Sequence, residues 1–128
     1  MSTNSGYRKK FGAWGEDQGL NFLLKKGYIL RVKNYHTRFG EIDLIMSSGD
    51  RLVAVEVKTR KSNAYGIAEY SITRKKFQSM QAAMLVYLES LDKPVSDWQV
   101  DVLVIETNLN GNPEIIHYEN VYLDYLNE

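Results

Sequence analysis

Two alternating runs of residues, set back to back across a tight turn, leave this chain few ways to fold. The first is Gly40-Glu41-Ile42-Asp43-Leu44-Ile45-Met46, followed by the turn Ser47-Ser48-Gly49-Asp50. The second runs from Leu52 to Arg60 and contains Val53-Ala54-Val55-Glu56-Val57-Lys58. Successive side chains of a strand point to opposite faces. Glu41 and Asp43 are therefore expected on one face of the first strand, with Ile42 and Leu44 on the other. In the second strand Ala54, Glu56 and Lys58 share a face opposite Val53, Val55 and Val57. The short turn makes the strands hairpin neighbours. One register gathers Glu41, Asp43, Glu56 and Lys58 on a single surface, although the sequence alone does not give the register.

The apolar flanks imply a central, buried hairpin. Carboxylates about 4 Å apart repel by about 4 kcal/mol at an effective dielectric of 20. A divalent cation removes that penalty, and hard carboxylate oxygens are what Mg²⁺ prefers. Asp43 and Glu56 suit direct ligation of Mg²⁺ or Mn²⁺, and the backbone carbonyl of Val57 can complete the protein's share. Lys58, on the same face as Glu56, can orient or deprotonate a water and balance phosphate charge. The plainer alternative is a solvated hairpin face crossed by salt bridges, Lys58–Asp43 among them.

The rest of the pattern builds an α/β domain around this hairpin. Residues 1–10 read as a flexible tail and 11–128 as one domain. Phe11 to Lys26 reads as a helix, with Gly27 as its C-cap. Tyr28 to Tyr35 is β-like. Lys61 to Tyr70 is a polar loop, and Thr73 to Leu91 is an amphipathic helix with Thr73 as N-cap. Gln99 to Glu106 is an apolar strand, and Asn110-Gly111 is a hairpin-turn signal before Ile115 to Tyr118. The order αβββαββ implies a mixed sheet flanked by helices.

Composition narrows the function classes. There are no cysteines, which excludes disulfides and thiolate metal sites. No apolar run is long enough to span a bilayer and the N-terminus lacks an apolar signal core, so a cytoplasmic protein without membrane attachment is expected. Net charge is zero, but residues 1–76 carry 15 Lys+Arg against 7 Asp+Glu, and residues 77–128 carry one Lys against 9 acids. Such an asymmetry can give one basic face suited to a phosphate backbone.

Several further residues are candidates. Glu16 falls on the helix stripe with Gly19 and Leu23, where its carboxylate would face the sheet; otherwise it is a first-turn acid favoured by the helix dipole. Lys76, beside Arg74 and Lys75, opens the second helix, where a bound phosphate would offset the unfavourable dipole. Arg60, Lys61 and Arg38, with Arg31 and Lys33, can line a nucleic-acid groove, although each alone reads as a surface charge. Tyr65 and Tyr70 can stack on bases, with loop packing the better reading. His36 reads as a surface histidine, His117 has no assigned role, and Trp14 and Trp98 are expected in the core.

The pairing of Gly40-Glu41-Ile42-Asp43-Leu44-Ile45 with Val55-Glu56-Val57-Lys58-Thr59-Arg60 resembles the split D…ExK motif of restriction-endonuclease-like, PD-(D/E)XK, nucleases. More closely the chain resembles the YraN-like bacterial family, and in layout it is similar to archaeal Holliday-junction resolvases. The resemblance covers roughly Gly12 to Ile105, including Gly12, Gly15 and Glu16, Gly27-Tyr28, Asn34, Thr73 to Lys76 and Asp101. It implies a restriction-endonuclease-like fold and a Mg²⁺-dependent nuclease acting on DNA. Asp43, Glu56 and Lys58 would be central, with Glu16 and Glu41 accessory. Where the family often has alanine this chain has Gly19, and where it often has arginine ahead of Asp101 this chain has Gln99. A structure-selective endonuclease, dimeric by analogy with the junction-cutting relatives, is the first functional expectation. A non-catalytic nucleic-acid-binding module with the same fold is the alternative.

Overall fold

The computed structural model describes residues 3–61, 72–95, 97–107 and 112–122. Its elements are α1 (Thr3–Lys25), β1 (Ile29–His36), β2 (Glu41–Ser48), β3 (Arg51–Lys61), α2 (Arg74–Glu89), β4 (Trp98–Thr107) and β5 (Glu114–Tyr118). The expected order αβββαββ and the α/β class hold. The loop carrying Tyr65 and Tyr70 and the turn Asn110-Gly111 lie outside the described residues.

The strands form one mixed sheet in the order β1-β2-β3-β4-β5. β1, β2 and β3 pair antiparallel, β4 runs parallel to β3, and β5 is antiparallel to β4. A parallel neighbour needs a crossover connection, and α2 lies within the one that joins β3 to β4. Side chains of β3 and β4 alternate between the two faces, and each face meets one helix. On one side Ala54, Val100, Val102 and Val104 pack with Phe77, Met80, Ala83, Met84 and Tyr87 of α2. On the other, Val53, Val55, Leu103 and Ile105 pack with Leu23 of α1. Trp14 and Trp98 are partly buried against these two clusters.

α1 approaches the sheet along Gly15, Gly19 and Leu23, all buried. A Cβ on Gly15 would overlap the Thr59 side chain of β3, whereas one on Gly19 would meet only Leu103 Cδ1 at 3.1 Å and the Val57 methyls. The helix closes as a Schellman motif: Tyr28 N–H donates to Leu23 C=O (3.0 Å), Gly27 N–H to Leu24 C=O (3.0 Å), and Gly27 has φ +95. Its N-terminal end departs from the sequence expectation. Residues 3–10 are helical rather than a tail, and Tyr7, Phe11 and Trp14 stack along the helix with ring centroids 6.1 and 5.9 Å apart. α2 starts on its expected cap, with the Thr73 hydroxyl accepting from Lys76 N. No helix among the described residues is long and apolar enough to cross a membrane.

Candidate functional site

β2 and β3 leave their turn in regular register, from Ser48↔Arg51 through Leu44↔Val55. Gly49, with φ +61, sits where a type II′ hairpin turn calls for glycine. The ladder then stops. In the continued register Val57 N–H would meet the Ile42 carbonyl, but it donates to Asp43 Oδ2 instead, at 2.8 Å. The two strands part there, and an acidic side chain replaces the backbone partner. The N–H and C=O of a strand residue point to the same side, so the Val57 carbonyl also faces the gap beside Asp43.

An irregularity in β1 lies directly opposite the parting. Asn34, which faces Asp43 between the pairs Tyr35↔Ile42 and Lys33↔Leu44, has φ +54. Asparagine is among the few side chains that tolerate this left-handed conformation. The period-two alternation breaks here, which corrects the sequence expectation. Ile42 packs in the α2-side cluster and Leu44 in the α1-side cluster, so the two do not share a face.

Of the predicted acids, Glu41 and Glu56 are joined across this opening by one lysine. Glu56 continues the Ala54 face and is 8% exposed. Lys76 of α2 lies 3.4 Å from Glu56 Oε1 and 3.7 Å from Glu41 Oε1, an ion-paired bridge between β3 and β2. α2 is held close by Gly40, where any Cβ would overlap the Ser79 backbone carbonyl, and by Glu41 N–H donating to Ser79 Oγ (3.4 Å). From the other side of the sheet, α1 contributes Glu16. Its Oε1 is buried with no hydrogen-bond partner. Burial first, then the Asp43 charge, pushes the Glu16 carboxyl above its ordinary range. Asp43 is raised as well, by burial and by the Glu56 and Glu41 charges, against the lowering effect of the Val57 N–H and Lys76. Asp43 thus feels the charges of Glu56, Lys76 and Glu41, and Glu16 those of Asp43 and Glu41, but no three of these carboxylates bring ligand atoms within 4.8 Å of one another in this arrangement.

Lys58 is exposed on the β3 stretch that runs past the end of the β2 ladder, and it makes no ion pair among the described residues. The candidate nucleic-acid residues are dispersed by comparison. Arg60 Nη2 lies 3.9 Å from Glu106 Oε1 on β4, the Lys61 ammonium sits over the Tyr7 ring, and the Arg38 guanidinium sits over Phe39. Lys76, by contrast, pairs with two of the predicted acids, Glu41 and Glu56. His36 is exposed with Nδ1 3.1 Å from Glu41 Oε2, and Lys33 pairs with Asp17 at 2.9 Å.

A second polar group, to which the sequence assigns no role, lies on the α1 side of the sheet towards β5. Asp101, His117 and Glu119 offer ligand atoms within 4.8 Å of one another, a spacing that can hold a metal ion. Asp101 is fully buried. Its Oδ1 accepts from Gln99 Nε2 (2.8 Å) and Asn120 N–H (3.0 Å); its Oδ2 lies 2.7 Å from His117 Nε2 and 3.3 Å from the Tyr28 hydroxyl. Lys26 Nζ stands 2.8 Å from His117 Nδ1. An ammonium only donates, so Nδ1 accepts and the ring proton sits on Nε2, aimed at Asp101. Burial alone would raise the Asp101 carboxyl, but its hydrogen bonds from His117, Asn120 and Gln99 outweigh that and bring it below the ordinary range. As it stands this carboxylate is already satisfied, whereas Glu16 is not. The only hint in the sequence is an acid inside an otherwise apolar strand, since Tyr28 and His117 are distant in the chain.

A family model described as "Uncharacterised protein family UPF0102" matches residues 15–105, a span holding Glu16, the hairpin, Lys76 and Asp101. A UPF0102 protein of Syntrophomonas wolfei is 36% identical over 114 residues, covering 89% of this chain and 98% of its own. One from Alkaliphilus oremlandii is 39% identical over 115 residues, again 89% and 98%. One from Neisseria gonorrhoeae is 38% identical over 99 residues, 77% of this chain and 86% of its own.

Proposed function

We propose, from the premise that this chain belongs to the uncharacterised protein family UPF0102, that it is a metal-dependent endonuclease hydrolysing phosphodiester bonds in DNA. The observation that carries this reading is the buried, unpartnered Glu16 Oε1 beside an Asp43 made harder to ionise by burial and by neighbouring acids. Like charges gathered in a partly dry gap need a counter-charge. Carboxylate oxygens together with a strand carbonyl are a donor set that fits Mg²⁺ or Mn²⁺.

Asp43, Glu56 and the Val57 carbonyl would hold the ion, with Glu16 and Glu41 accessory. When bound there, the ion supplies Lewis-acid charge to a phosphoryl oxygen. The chain's own residues do the rest. Asp43 keeps Oδ1 available while its Oδ2 is fixed by Val57 N–H. Lys58 orients the attacking water and balances the charge that develops on the phosphate. Arg38, Arg60, Lys61 and Lys76 supply positive charge along the backbone path. Such contacts position DNA without reading its sequence, which suits selection of branched or single-stranded structure. Residues 11–128 act as a single nuclease-like domain in the cytoplasm, and two copies would supply the paired sites that a junction needs.

Incubation with branched, nicked and single-stranded DNA in Mn²⁺ tests the reading. Cleavage is expected to stop on chelation and to fall by roughly 10²-fold or more in Asp43→Asn, Glu56→Gln and Lys58→Ala. Cleavage that persists in chelator, or at the parental rate in Lys58→Ala, contradicts it. Salt-sensitive binding with no cleavage under any metal supports the non-catalytic module instead.

A further inference from the structure

We infer that Lys76 is a tethered counter-cation of the acidic site: it competes with the divalent ion for Glu56 and Glu41, and turns to phosphate once the ion is bound. This rests on the reading of the site as a cation-binding one and adds a coupling between ion and substrate. Three observations carry it. The ammonium bridges acids on two different strands, at 3.4 and 3.7 Å, in the place where a ligated ion would have to meet Glu56. The backbone that carries it packs directly on the start of β2, where Gly40 leaves no room for a Cβ beside the Ser79 carbonyl and Glu41 N–H donates to Ser79 Oγ. The side chain itself can move, being 27% exposed on a flexible four-carbon stem.

Its position also makes little sense as helix design. Lys76 lies in the first turn of α2, which holds no acid and opens Arg74-Lys75-Lys76. Positive charge there opposes the helix dipole, and the acids of β2 and β3 compensate it. An ion taking those acids would leave Lys76 beside both a dication and the positive end of the helix. An incoming phosphate relieves that arrangement. Ion affinity should therefore be low without a phosphodiester and rise with it. Lys58 differs, because it is exposed and makes no ion pair among the described residues.

Mn²⁺ affinity, measured by the electron paramagnetic resonance signal of the free ion, tests this on the whole chain. The proteins compared are the parent, Lys76→Met, Lys76→Arg, Lys58→Met and Asp43→Asn. Without nucleic acid, Lys76→Met is expected to bind Mn²⁺ roughly five- to tenfold tighter, the effect of one screened unit charge near the ion. Lys76→Arg should stay near the parent. A phosphorothioate oligonucleotide should tighten Mn²⁺ binding in the parent and do so much less in Lys76→Met. Equal or weaker Mn²⁺ binding by Lys76→Met, with its circular dichroism and melting unchanged, overturns the role of Lys76. If the parent binds no Mn²⁺, or Asp43→Asn binds it equally well, the cation site itself is wrong and this inference falls with it.

Discussion

At the scale of single residues the molecule holds two acids in opposite condition. Asp43 is raised by burial and by neighbouring acids, and Asp101 is lowered by the hydrogen bonds that outweigh its burial. The sign of each fixes a pH dependence. A carboxyl raised in the folded state binds its proton more tightly there than in the unfolded chain. Its contribution is favourable below the unfolded pKa and is lost as pH rises through the folded one. In chelator at neutral pH, Asp43→Asn should therefore raise the melting temperature, since Asn still accepts from Val57 N–H, and the gain should vanish in acid. Asp101 behaves in the reverse sense. Its stabilisation is present above the unfolded pKa and is lost as pH falls through the lowered one. Asp101→Asn should cost roughly 2–3 kcal/mol at neutral pH by denaturant titration, the scale of hydrogen bonds to a buried charge. The nearness of Glu41 and Glu56, both beside Lys76, was legible in the sequence because they lie on neighbouring strands of one hairpin, whereas the break in alternation at Asp43 was not. The Asp101 network was not, because Tyr28 and His117 reach it only through the fold.

Among the elements, pattern and propensity set most boundaries. The N-cap at Thr73 and the C-cap at Gly27 fall where the sequence predicts them. Two features escaped. The alternation in β2 fails at Asp43, opposite Asn34 of β1 with its φ of +54, and neither departure has a signature in the period of β2 itself. Residues 3–10 extend α1 although they lack a regular apolar stripe; there Tyr7 stacks on Phe11, which stacks on Trp14, and the Lys61 ammonium of β3 sits over the Tyr7 ring. Close approach of α1 brings Glu16 to the opening, and it depends on Gly15. Gly15→Ala would force the Thr59 side chain away and should cost roughly 1–3 kcal/mol. Gly19→Ala meets only movable methyl groups and should change stability little. Paired thermal melts of the two variants check this contrast, and a smaller loss at position 15 than at 19 would contradict it.

For the molecule as a whole, one sheet with a helix on each face sets Asp43 and Glu56 where the β2–β3 ladder ends, towards the C-terminal ends of the parallel pair β3 and β4. Ligand sites of open α/β sheets favour such strand ends. The net charge of zero conceals this arrangement, because the excess of Lys+Arg before residue 77 is matched by the excess of acids after it. An ion that binds the folded chain alone should stabilise it by about 2.7 kcal/mol at a hundred times its dissociation constant. Crystals soaked in Mn²⁺ and examined at the manganese absorption edge test the central claim most directly. An anomalous peak bounded by the Asp43 carboxylate, the Glu56 carboxylate and the Val57 carbonyl is the predicted result. A peak confined to Asp101, His117 and Glu119, or none at millimolar Mn²⁺, would contradict it.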